Sequence, residues 1–96
     1  PPGPRSHPIV PTIELFGQAR ILTGTRAVSI PAATLGEALR ELAARYPELV
    51  GRVLESDGRP LPAYALNLCG RRFTANLSEP LTESDSVLVI SSLSGG

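Results

Sequence analysis

Ser94-Gly95-Gly96 closes the sequence, a few residues after an apolar run. Glycine has no Cβ, so two in succession make a tail thin enough for a narrow slot and free to take backbone angles closed to other residues. At such an end the α-carboxylate of Gly96 can itself be the reactive group. With glycine near ~7% of residues, a terminal pair arises by chance on the order of once in two hundred chains. The pair therefore weighs through its setting after a closing strand, against the plainer readings of chance or a cloning scar.

The other groups that could do chemistry are fewer and weaker. His7 is the single histidine and sits in a proline-rich lead, so no histidine-bearing triad or metal cluster is expected. Cys69, the single cysteine, is read as a small buried apolar residue of a strand rather than a nucleophile or persulfide carrier. Glu83 and Asp85 form a carboxylate pair in a polar bend, where both are normally just solvated. Arg71 and Arg72 fit either contact with an acidic partner or a solvated turn. No glycine-rich phosphate loop precedes a helix, so the chain itself is not expected to bind ATP.

Ninety-six residues suit one small domain. Such a chain buries roughly 60–68% of its unfolded surface, enough for one core but not for a deep cleft with a lid. The formal net charge is zero and all nine cations are arginine; lysine is absent, so no side-chain amine can accept an isopeptide bond from a second copy. Nothing in the charge distribution favours nucleic acid or a membrane surface. No apolar run of 18 residues and no signal-peptide pattern is present, and a single cysteine fits a reducing cytoplasm.

The elements that must position the tail follow from pattern. Residues 1–8, with four prolines, are read as a disordered lead-in or an expression remnant; 9–91 as the folded domain; and 92–96 as a flexible Gly-Gly tail. Residues 9–16 alternate as a strand, with Ile9, Pro11, Ile13 and Leu15 on one face and Val10, Thr12, Glu14 and Phe16 on the other. Pro11 lacks a ladder donor and is expected at an edge or an unpaired position. Residues 17–24 are a connection with room for a helical turn, and residues 26–30 a second strand completing a hairpin. Thr34 and Glu37 have capping-box spacing. Leu35, Ala38, Leu39, Leu42, Ala43 and Tyr46 then form one helical stripe that Pro47 ends. Leu49, Val50, Val53 and Leu54 are expected to pack in a short turn, followed by a loop at Asp57-Gly58. Strands are expected over residues 64–69, with Leu66 and Leu68 inward, over 72–75 and over 86–91. The order ββαβββ gives an α+β, β-grasp (ubiquitin-like) arrangement: a mixed sheet of four to five strands around one main helix.

With these elements placed, the chain resembles the MoaD/ThiS family of ubiquitin-like sulfur carriers, which includes the molybdopterin synthase small subunit. The resemblance is carried by Ile13-Glu14-Leu15-Phe16-Gly17-Gln18-Ala19-Arg20, by Thr34-Leu35-Gly36-Glu37-Ala38-Leu39 and by Arg45-Tyr46-Pro47. Leu68-Cys69-Gly70-Arg71, Pro80-Leu81 with Ser84-Asp85-Ser86-Val87, and the Gly-Gly end complete it. Cys69 stands where the family commonly has asparagine, and serines replace the flanks of its Asp-Gly-Asp.

The resemblance implies that the Gly96 carboxylate is adenylated by a ubiquitin-activating-type enzyme using ATP and converted to a thiocarboxylate. That group would donate sulfur to an acceptor enzyme, either the molybdopterin synthase large subunit or one in cysteine, thiamine or natural-product biosynthesis. The chain would then be a protein cosubstrate with no bound cofactor, not a catalyst. Two other readings stay open: a small interaction subunit of molybdopterin synthase, and a ubiquitin-like modifier attached to lysines of other proteins. Ser94 and Gly95 would lead Gly96 into the partner. Leu88 and Ile90 are apolar on the face of the last strand opposite Val87 and Val89, so they are read, with Arg71, Arg72 and Leu93, as the partner-binding surface. Cover by loops or by a second copy is the alternative.

Overall fold

The computed structural model describes residues 9–91; the expected lead-in and tail lie outside them. Strand β1 (Thr12–Leu15) forms an antiparallel hairpin with β2 (Ala27–Ser29). β3 (Tyr64–Leu68) forms a second hairpin with β4 (Arg72–Thr74). β5 (Ser86–Ser91) lies between the hairpins, parallel to β1 and antiparallel to β3, giving one mixed sheet in the order β2-β1-β5-β3-β4. The first and last strands thus lie side by side, as the β-grasp order implies. Pro11 precedes the ladder, and its carbonyl accepts from Ile30 N–H at 3.1 Å, a pair in which proline has no N–H to return.

Two helices connect these strands: α1 (Gly17–Thr23), between β1 and β2, and α2 (Leu35–Arg45), between β2 and β3. Capping sets the start of α2. Thr34 Oγ1 accepts from Glu37 N–H at 3.3 Å, while Glu37 Oε1 accepts from Ala33 N–H at 2.9 Å, one residue earlier than a standard capping box. Two more orphan donors of the first turn, Leu35 and Gly36 N–H, reach the carbonyls of Glu79 and Leu77 at 2.9 and 2.8 Å. Leu35, Ala38, Leu39, Leu42 and Ala43 are buried against the sheet, facing Ile13, Leu15, Leu66, Val87 and Val89 across one core. Each such large side chain contributes roughly 1.5–3 kcal/mol by leaving water.

Four expectations need correction. The 17–24 connection is a seven-residue helix rather than one turn; only Ala19 is buried and Ile21 is 80% exposed, so it carries no apolar stripe. Val50 is exposed while Leu49, Val53 and Leu54 are fully buried. It caps a 3-10 turn (Pro47–Leu49) in extended conformation, which swings its side chain outward. β3 ends at Leu68, and Cys69 is a turn residue with φ of 60°, followed by Gly70 at 72°. Positive φ at both central residues, closed by Arg71 N–H to Leu68 O at 3.0 Å, is what a type I′ hairpin turn requires. Three strands are shorter than expected: β1 spans Thr12–Leu15 rather than 9–16, β2 spans Ala27–Ser29 rather than 26–30, and β4 ends at Thr74.

The loop after α2 lies backbone to backbone on that helix. Gly58 has φ of 96°, and a Cβ there would stand 2.8 Å from Arg40 N and from the Leu39 carbonyl carbon. Only glycine fits both conditions.

Candidate functional site

Leu93, Ser94, Gly95 and Gly96 lie outside the described residues, so the site is built from the strand that leads to them. β5 is flanked by β1 and β3 and reaches Ser91, which pairs opposite Tyr64. Around that end Tyr64 Oη donates to Gln18 Oε1 at 2.8 Å, and Arg20 Nε donates to Leu15 O at 3.1 Å. The Arg20 guanidinium also stacks 5.3 Å from the Phe16 ring centroid. The end of β5 thus lies on the central strand of the sheet. Five residues follow it in sequence, a span of at most roughly 16–18 Å.

Strand alternation sorts the two faces of the sheet. Val87 and Val89 are buried on the helix side, while Leu88 and Ile90 are half-buried on the side away from it. The register places Leu88 opposite Glu14 on β1 and Asn67 on β3; beyond them stand Ala27 on β2 and Phe73 on β4. One row, Ala27–Glu14–Leu88–Asn67–Phe73, thus crosses the whole open face. Phe73 is 64% exposed, whereas Asn67 is 8% exposed and its Oδ1 has no hydrogen-bond partner.

The two arginines separate. Arg71 lines a cavity of about 470 Å³ together with Leu88, Glu14, Cys69, Ser84 and Asp85, so it stands at the rim of the open face. Arg72 pairs opposite Leu68, whose side chain points to the core. Its guanidinium meets Glu79 at 2.7 Å, an exposed pair whose hydrogen bond and charge raise the Arg72 pKa. It does not join Arg71 beside Leu88.

Cys69 and Asp85 form a structural unit. The thiol donates to Asp85 Oδ1 at 3.2 Å, and Asp85 Oδ2 accepts from Thr82 N–H at 2.8 Å. The Thr82 hydrogen bond is the main reason the Asp85 carboxyl is held below the ordinary carboxylate range, with Cys69 and Arg71 adding to it. Asp85 is thus occupied in tying the β3–β4 turn to the bend before β5, while Glu83 stays exposed. Among the described residues no group of three His, Cys, Asp or Glu could hold a metal ion, and no helix is long and apolar enough to cross a membrane.

Sequence reading placed Leu88, Ile90 and Arg71 on the open side but passed over Glu14, Asn67 and Phe73. The signal for Glu14 was present in the alternation of residues 9–16; the pairing that sets it beside Leu88 was not.

No protein-family model matches the chain, and no curated protein does. Solved structures do. Small archaeal modifier protein 1 (SAMP1) of Haloferax volcanii is similar at 27% identity and a TM-score of 0.75, over 91% of this chain and 99% of that one. SAMP1 of Methanosarcina acetivorans is similar at 20% identity and a TM-score of 0.77, over 95% and 100%. A chain of the Amycolatopsis orientalis BexX/CysO complex is similar in fold at 16% identity and a TM-score of 0.70, over 88% and 98%. The fold is thus ubiquitin-like β-grasp, matched over nearly the full length of each neighbour. These neighbours are ubiquitin-like small modifier and sulfur-carrier proteins of the MoaD/ThiS type, the type that the sequence motifs resemble.

Proposed function

We propose that the chain is a sulfur carrier that works through the Gly96 carboxylate in the cytoplasm. The carrying observation is the near-complete match to a ubiquitin-like modifier of similar length, in a chain whose central strand is followed within a few residues of sequence by Gly95-Gly96. A partner adenylating enzyme lets the carboxylate attack the α-phosphorus of ATP, giving an acyl-adenylate and pyrophosphate. A sulfur donor then displaces AMP, leaving a C-terminal thiocarboxylate that passes its sulfur to an acceptor enzyme. Ser94 and Gly95 thread the partner's channel, and Leu88, Ile90, Arg71 and Leu93 contact its surface. A second reading is favoured by the SAMP1 likeness: the same activated carboxylate conjugates to lysines of other proteins. Both readings need the same first step.

Incubation with ATP, a cognate adenylating enzyme and a sulfur source is expected to raise the intact mass by one oxygen-to-sulfur exchange. Chains lacking Gly96, or extended by one alanine, are expected to stay unchanged. Charging of the extended chain as fast as the native one would refute the assignment of the carboxylate. An amide adduct formed with a lysine-bearing protein in place of the exchange would favour the modifier reading.

A further inference from the structure

Glu14 stands out on the open face. It sits in the middle of the crossing row, between Ala27 on one neighbouring strand and Leu88 on the other. Its side chain is half-buried, and its carboxylate has no hydrogen bond or ion pair among the described residues. The row continues through Asn67, whose Oδ1 also lacks a donor, to the exposed ring of Phe73. Glu14 shares its cavity with Arg71, Ser84 and Asp85 but pairs with none of them, and its carboxylate is tolerable there while water reaches it. Covering this face without supplying a donor would strand a charge in a low-dielectric contact, which is strongly unfavourable.

We propose that the open face of this sheet docks a protein surface presenting an arginine among apolar side chains, and that Glu14 is the residue that selects it. An arginine fits the setting in two ways. Its methylene stem can lie along Leu88 while its planar fork reaches the carboxylate. Its charge complements the one anion in the row, whereas an acidic or wholly apolar partner patch is rejected by it. Asp85, at the margin of the face, is already occupied by Thr82 and Cys69, and Arg71 in the same cavity makes no ion pair with Glu14, so Glu14 is the charged acceptor left for a partner. This proposal rests on the carrier reading, with the adenylating enzyme as the partner.

The test is steady-state charging of the full chain by that enzyme, with KM for the carrier and kcat measured separately. Glu14→Gln keeps shape and polarity and removes only the charge. It is expected to raise KM about tenfold or more, with kcat retained, because close interfacial charge pairs couple at that level or above. Added salt should raise KM of the native chain steeply and that of the Gln variant little. Glu14→Arg is expected to dock more weakly still, and Glu48→Gln, on the distant 3-10 turn, to match the native chain. Thermal melts of each variant confirm a common fold. A Glu14→Gln KM within twofold of native, or a Glu14→Leu chain that docks more tightly, overturns the proposal and leaves the carrier reading standing. A native chain that is not adenylated at all overturns both.

Discussion

Replacing Cys69 with asparagine is expected to stabilise the domain. Cys69 holds φ of 60°, in the left-handed region that costs most L-residues roughly 1–2 kcal/mol. Asparagine tolerates that region, and Asn-Gly is the preferred pair where both central residues of a hairpin turn have positive φ. Against the gain stands the loss of a half-buried sulfur packed against the core, about 0.5–1 kcal/mol of apolar burial. The thiol's hydrogen bond to Asp85, 3.2 Å long, is replaced by an amide donor at the same carboxylate. The balance is a gain of about 0.5–1 kcal/mol, or a rise of ~2–8 °C in Tm for a domain of this size. Thermal unfolding followed by circular dichroism, with urea midpoints as a check, measures it. Cys69→Ala, which keeps the strained φ and loses the thiol, is expected to fall slightly below native. Cys69→Val is expected to lose about 2 kcal/mol or more, because a branched Cβ suits this region worst. On the proposed carrier reading, all three should charge at Gly96 at the same rate as the unaltered chain. An asparagine variant no more stable than the alanine one would show that the turn conformation carries no penalty, and the reasoning would fail.

Two further outcomes follow from the loops. Gly58→Ala is expected to destabilise by about 2 kcal/mol or more, since its Cβ would lie 2.8 Å from the backbone of α2 at a φ of 96°; an unchanged urea midpoint would contradict the close approach. Asp85 has a pKa lowered in the folded state, so its contribution is complete above the unfolded carboxylate pKa of about 3.9 and is lost as pH falls through the lower folded value. Asp85→Asn should therefore be less stable than native at neutral pH, with the gap closing in acid; a gap that is constant with pH would remove the charge from the account.

Much of this architecture can be read from pattern, because the patterns concerned are local. The Thr34–Glu37 spacing marks the start of α2 within one residue, and the apolar run Val87-Leu88-Val89-Ile90 between two serines gives β5 with its observed bounds. What pattern misses depends on contacts distant in sequence. α1 has a single buried residue, so no stripe announces it. Pattern suggests a hairpin turn at Gly70-Arg71, but the turn starts one residue earlier, at Cys69, a start hidden because the residue there is not the one such a turn prefers. Arg71 and Arg72 are neighbours in sequence but belong to opposite faces, a division fixed only by the pairing of Arg72 with Leu68. Glu14 gains its meaning from a strand more than seventy residues later.

The position of β5 ties the order of synthesis to the presentation of the chain's end. Until residues 86–91 emerge, the two hairpins have no strand between them, and the inner edges of β1 and β3 stay open. The sheet's longest-range pairing must then form last along the chain, a contact that slows folding and makes it cooperative. A nascent or truncated chain that lacks this strand has no completed sheet from which to offer a tail. On the proposed carrier reading, a partner that reads the open face before engaging Gly95-Gly96 would therefore also check that the chain has finished folding.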